Sequence, residues 1–109
     1  MSVRLSRSDR AIIAAVERGY TATAEGGVVS PRGKVMTLRR RADGYLSFTP
    51  PTLRGEKAIT VLAHRFVAYF FYGPAVFSQR LIRHLNDDKT DNRPINLAPG
   101  SHSDNRADV

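Results

Sequence analysis

The sequence predicts an α+β fold: a small antiparallel β meander with flanking helices, followed by a C-terminal strand, loop, strand and helix. Apolar residues recur at helical spacing in two separate stretches, around residues 12–20 and 62–70. Short β-type runs, punctuated by glycine and proline turn signals, fill the interval between them. A polar segment rich in Asn and Asp then divides two further β-type runs near the C-terminus. With 109 residues and 41% apolar content the chain can build one small core, so a single domain over 1–109 is expected, without repeats or linkers.

Ser6-Arg7-Ser8-Asp9 has the form of a capping box, in which the hydroxyl and the carboxylate each accept a bond from the other residue's backbone N–H. Ile12, Ile13, Val16 and Tyr20 follow at helical spacing and Gly19 offers a stop, which predicts a helix over 7–18 within an N-terminal unit 1–19. Residues 20–61 read as a basic β meander with runs at 20–23, 27–30, 34–38 and 45–48. Gly26-Gly27, Pro31-Arg32-Gly33 and Ala42-Asp43-Gly44 supply its turns. Leu62, Ala63, Phe66, Val67, Tyr69 and Phe70 restore the helical period, and Gly73-Pro74 ends it, so a second helix is expected over about 60–72 in a unit 60–73. Its aromatic side chains read as a packing face rather than a base-stacking platform, because apolar residues at these spacings usually face a core.

Charge narrows the partner. Seventeen Lys and Arg against ten Asp and Glu leave a net +7, the balance expected of a protein that meets a polyanion. Arg39-Arg40-Arg41, with Arg32, Lys34, Arg54 and Lys57, concentrates that charge in and around the meander. These residues are candidate phosphate contacts, the alternative being a solvated hairpin rim. The longest apolar run, 67–72, is far shorter than the roughly 20 residues that span a bilayer, so no membrane segment is expected. The amino terminus lacks the apolar stretch of a secretion signal, and a cytoplasmic protein is expected. With no cysteine and three histidines, any catalytic metal should be a hard divalent ion held by oxygen and imidazole.

The C-terminal region predicts a strand over 80–84, an exposed polar loop over 86–94, a second strand over 96–98 and a terminal helix capped by Ser101. This order places His84 on the first strand, Asn96 on the second, and Asn105 in the opening turn of the helix. Those three residues resemble the namesake residues of the HNH endonucleases, within the ββα-metal or His-Me finger superfamily. The connecting residues from Asp88 to Leu97, DKTDNRPINL, are similar to that family's "GNKTNNRPENL". Upstream, Gly44-Tyr45-Leu46 and His64-Arg65-Phe66-Val67-Ala68 resemble its "GYL" and "HRLVA" segments. Phage and intron-homing members match best, and the similarity covers most of 20–108.

The resemblance implies a ββα-metal motif over 80–109 and a metal-dependent endonuclease that nicks or cleaves double-stranded DNA by phosphodiester hydrolysis. A neutral imidazole is a suitable general base at physiological pH, and His84 takes that role by resemblance. Asn96 would bridge the loop backbone and orient His84. Asn105 would help hold one divalent cation, Mg2+ with Mn2+ or Ni2+ able to substitute, and His102, one helical turn earlier, is a further candidate ligand. Arg83 stands where many members have Asp or Asn as a second ligand. A guanidinium cannot coordinate a metal, so Arg83 reads instead as a phosphate clamp. His64 is expected in a structural or DNA-backbone role, and Arg65 among the phosphate contacts. The alternative function is an HNH scaffold without chemistry that binds DNA or a host or phage protein.

Overall fold

The computed structural model describes residues 5–52, 55, 57–78 and 81–100. Its first element, α1 (Arg7–Glu17), begins at the expected capping box: the Ser6 hydroxyl accepts from the Asp9 N–H, and the Asp9 carboxylate accepts from the Ser6 N–H, each at 3.1 Å. Ile12 and Ala15 point from this helix into the core. Gly19 follows the last turn with φ at 104°, a conformation that disfavours other residues.

The expected single meander resolves into two small antiparallel sheets. One pairs β1 (Thr21–Ala22) with β2 (Val28–Val29). The other sets β4 (Leu46–Phe48) between β3 (Arg39–Arg40) and β5 (Val61–Leu62), with Ser47 opposite both Arg39 and Leu62. The run expected as a strand over 34–38 makes only an isolated bridge from Val35 to Val29. Val28 is fully buried whereas Val35 is 69% exposed, so β propensity at Val35 has no packing partner to reward it.

Helix α2 (Ala63–Tyr72) follows β5 directly. It starts later than its apolar pattern suggests, because Val61 and Leu62 pair with Phe48 and Ser47 instead. Ala63, Phe66, Val67 and Ala68 are fully buried, and β1, β4, β5 and α1 pack around this helix. Phe66 meets Phe48 edge to face at 5.3 Å, and Tyr69 stacks on Phe77 at 4.9 Å. The aromatic residues of α2 therefore serve packing first, while Phe71 and Tyr72 remain exposed at its end. Gly73, with φ at 85°, closes the helix into a 3-10 turn, Pro74–Ser78.

Arg65 differs from its expected role. Its guanidinium lies 3.0 Å from the second oxygen of the Asp9 carboxylate and over the Phe77 ring, at 5.9 Å to the ring centre. Asp9 is buried, and without this cation it would be an uncompensated charge in the core, so Arg65 ties α2 to α1 rather than facing a phosphate.

The C-terminal part is an antiparallel pair, β6 (Leu81–His84) with β7 (Leu97–Gly100), in which His84 lies opposite Leu97. Both strands pack on α2. Asn96 does not lie on β7 as expected. It ends a short 3-10 turn, Pro94–Asn96, whose first residue is a proline suited to that position. The terminal helix expected from Ser101, with His102 and Asn105, lies outside the described residues, as does Arg54. Among the described residues no helix is long and apolar enough to cross a membrane.

Candidate active site

Strand alternation decides where His84 points. Ile82 and His84 share the buried face of β6 toward α2, and Arg83 takes the opposite, partly exposed face. Beyond His84 the chain turns sharply. The Asp87 N–H returns to the His84 carbonyl at 2.9 Å, and Asp87 itself has φ at 62°, a left-handed conformation that Asp tolerates better than most residues.

The loop between His84 and Asn96 is cross-braced by its own side chains. Asn96 is buried and is the central brace: its Oδ1 accepts from the Asn86 N–H at 3.1 Å, and its Nδ2 donates to the Asn86 Oδ1 and to the Asp91 carbonyl, both at 2.9 Å. Asn86 in turn donates to the Asp91 carboxylate at 2.8 Å, and Arg93 grips the same carboxylate with two bonds of 2.7 Å. Arg93, then Asn86, hold the Asp91 carboxyl well below the usual carboxylate range. Asp88 caps the turn by accepting from the Thr90 hydroxyl at 2.7 Å and N–H at 2.9 Å, and these bonds lower its carboxyl too. Asn96 thus bridges the loop.

The ring of His84, however, is held by another residue. Its Nε2 lies 2.7 Å from the Oδ1 of Asn92, and both side chains are buried. Asn92 falls in the stretch expected to be an exposed polar loop, yet it is 2% exposed. Composition hid it: an Asn between Asp91 and Arg93-Pro94 carries every signal of a surface turn.

His64 completes the cluster. Its ring stands 5.0 Å from that of His84 and stacks at 5.0 Å on Tyr45, which is itself 5.9 Å from His84. Burial, with the neighbouring His84 and Arg65, pushes the His64 imidazole down to about 3 and keeps it neutral at ordinary pH. The buried position favours the structural role over contact with a DNA backbone. Its Nδ1 and the Nδ2 of Asn92 are buried without a hydrogen-bond partner.

The basic hairpin adjoins this cluster. Lys89, in the loop, donates to the Asp43 carbonyl at 2.9 Å and lies 4.8 Å from the centre of the Tyr45 ring. The turn between β3 and β4 is thereby joined to the His84 loop. Arg39 and Arg40 on β3 are exposed, and Arg41 forms a surface pair with Asp43 at 3.2 Å. Arg39 and Lys34 also line a groove of about 290 Å³, together with Met36 and Phe48. Arg32, Lys34 and Lys57 are exposed.

Residues 61–107, which contain α2, the paired strands and the braced loop, match the HNH endonuclease family. This segment belongs to that family. The α+β fold is similar to that of the HNH homing endonuclease I-HmuI, in a structure described as showing DNA binding and cleavage, with a TM-score of 0.60 at 24% identity. The match covers 82% of this chain and 50% of that one, so the chain spans about half the length of that enzyme. No curated protein sequence matches the chain. Within the HNH segment, His84 and Asn96 are brought to the two ends of one loop. Asn105, expected as the third namesake residue, and its neighbour His102 lie outside the described residues.

Proposed function

We propose that the chain is a DNA endonuclease that hydrolyses phosphodiester bonds in double-stranded DNA, with His84 as the general base. The observation that carries this is the imidazole of His84, buried on β6 and held at Nε2, in a loop whose geometry Asn96 braces. With one ring nitrogen engaged, the other is left to take a proton from water as the water attacks phosphorus. A base held in place spares the reaction the entropy of finding it. Arg39, Arg40 and Lys89 would draw the DNA backbone toward this site, and Arg83 would clamp a phosphate.

Among the described residues no group of three His, Asp or Glu is arranged to hold a metal, and Asp88 and Asp91 are engaged within the loop. By resemblance to the family, Asn105, with His102 as a further candidate, would hold the cation. A divalent cation bound there, Mg2+ with Mn2+ or Ni2+ able to substitute, would supply Lewis-acid stabilisation of the developing negative charge.

The test is conversion of supercoiled plasmid in Mg2+ or Mn2+, expected for the wild-type chain and lost in His84→Ala. Identical behaviour of the two proteins, in metal-free controls and with metal added, would sink the enzymatic reading. Arg83, which has no lone pair for a metal, favours a second reading: an HNH scaffold that binds DNA, or a host or phage protein, without cleaving. Salt-sensitive plasmid binding with no cleavage in any divalent metal would select it.

A further inference from the structure

We infer that Asn92 is a positioning residue that selects the protonation form of His84, and that Gly26 holds Asn92 in place to do so; this rests on His84 being the base. A neutral imidazole has one N–H and one lone pair, and the partner of one nitrogen decides which is which. With Oδ1 of Asn92 facing Nε2 at 2.7 Å, Nε2 carries the proton and Nδ1 carries the lone pair that can accept one from water. Were the amide turned over, its NH2 would donate to Nε2, the proton would move to Nδ1, and no lone pair would remain for the reaction. The orientation of one buried amide thus separates a competent base from an incompetent one. Once the ring has gained its second proton, the same Oδ1 still accepts from Nε2–H and stabilises the cation.

Asn92 is held for this task from a distant part of the chain. Gly26, in the turn between β1 and β2, lies so close to the loop that a Cβ added to it would meet the Asn92 carbonyl carbon at 2.5 Å and the Arg93 nitrogen at 2.7 Å. Its φ of 88° also disfavours any side chain. The hairpin turn therefore presses backbone to backbone on Asn92, with no side chain to give way. The amide also departs from what stability alone would choose, because its Nδ2 is buried without a partner. Among the described residues His84 also meets the neutral ring of His64 and that of Tyr45, and it interacts electrostatically with the Asp88 carboxylate; Lys89 lies over Tyr45, and Arg65, Asp43 and Arg41 act on His64. Among the described residues it is Asn92 that hydrogen-bonds the His84 ring, and its amide sets the form.

The decisive measurement is the nitrogen-15 NMR spectrum of the His84 ring in the wild-type chain, at a pH where the ring is neutral. The expected result is a single form protonated at Nε2. A form protonated at Nδ1, or the averaged mixture of a free imidazole, overturns the inference, and neither result depends on cleavage being observed. Three variants extend the test. Asn92→Leu removes the acceptor and should lower kcat about 10²-fold, with KM little changed and the ring shifted toward the mixture. Asn92→Asp keeps an acceptor oxygen, so it should recover most of that rate while moving the acid limb of the pH–rate profile to higher pH, because a carboxylate favours the protonated ring. Gly26→Ala should alter the ring spectrum in the same direction as Asn92→Leu. Equal loss in the Leu and Asp variants with an unmoved pH profile would reduce Asn92 to a packing role and overturn the inference. If the wild-type chain cleaves nothing, the spectra of the three variants still decide it.

Discussion

The His84 loop and the basic hairpin region are both polar and both attached to very short strands, yet they are held by opposite means. Between His84 and Asn96 the backbone is pinned by side chains: Asn96, Asn86, Asp91 and Arg93 form a connected set of bonds of 2.7–3.1 Å. Around Arg32, Lys34 and Arg39 the bonds run mainly along the backbone, as from the Ser30 N–H to the Lys34 carbonyl, and the cations extend into solvent. The contrast fits the roles proposed for the two regions. A general base loses its advantage if displaced by an ångström, whereas attraction to a phosphate backbone acts over about 10 Å and tolerates motion. On the proposed function, one region serves position and the other charge.

The sharpest way to break the comparison is His84→Ala. It should lower plasmid cleavage by roughly 10²–10⁴-fold while leaving DNA affinity, measured by gel retardation, almost unchanged. A parallel fall in affinity would mean that the loop also carries the charge function. Next in size is Asn96→Ala, which removes the central brace from a buried site and should cost about 2–4 kcal/mol in urea unfolding. A cost near zero would show that the remaining loop bonds suffice without it.

Acid should act on the buried side of the contrast. His64 titrates near 6.5 when unfolded and is pushed down to about 3 when folded, so between those values the unfolded chain binds more protons. Stability should therefore be full above pH 6.5 and decline as pH falls toward 3, by at most roughly 1.4 kcal/mol per unit from this group. His64→Phe has nothing to protonate in either state, and its stability should vary less with pH over that window; an unchanged slope would assign the effect elsewhere.

The charged side should yield smaller changes. Arg39→Ala with Arg40→Ala should leave kcat intact and reduce the salt slope of DNA binding by about 1.8 if both residues neutralise a phosphate. An unchanged slope would assign those cations to the solvated rim. Smallest of all, Asp43→Ala breaks the exposed pair with Arg41 and the exposed bond that its carboxylate accepts from the Tyr45 N–H, and should move stability by about 1 kcal/mol or less.

Much of the fold was legible because it rests on local patterns. The Ser6 and Asp9 capping box, the apolar stripe of α2 and the stop at Gly73 act within a few residues, and all appear where their spacing puts them. The division of the meander was not legible: runs of two or three residues take their partners from what packs behind them, as the buried Val28 and exposed Val35 show. The partner of Arg65 depends on packing in a similar way. Beside His64 in a basic chain this arginine resembles a phosphate contact, and only the return of α1 reveals Asp9 as its partner.

The order of His84 and Asn96 around an Asn- and Asp-rich loop was determined by the sequence alone, as was the excess of positive charge, because residue identity and spacing dictate both. What holds the His84 ring was decided only in three dimensions. Asn92 reads as a surface turn, and Gly26 as an ordinary hairpin glycine, until folding presses one against the other and turns the amide toward the imidazole. A hydrogen bond between side chains eight residues apart, supported by a hairpin from the other half of the chain, has no periodic signature, since it depends on how separate elements pack rather than on how any one of them repeats.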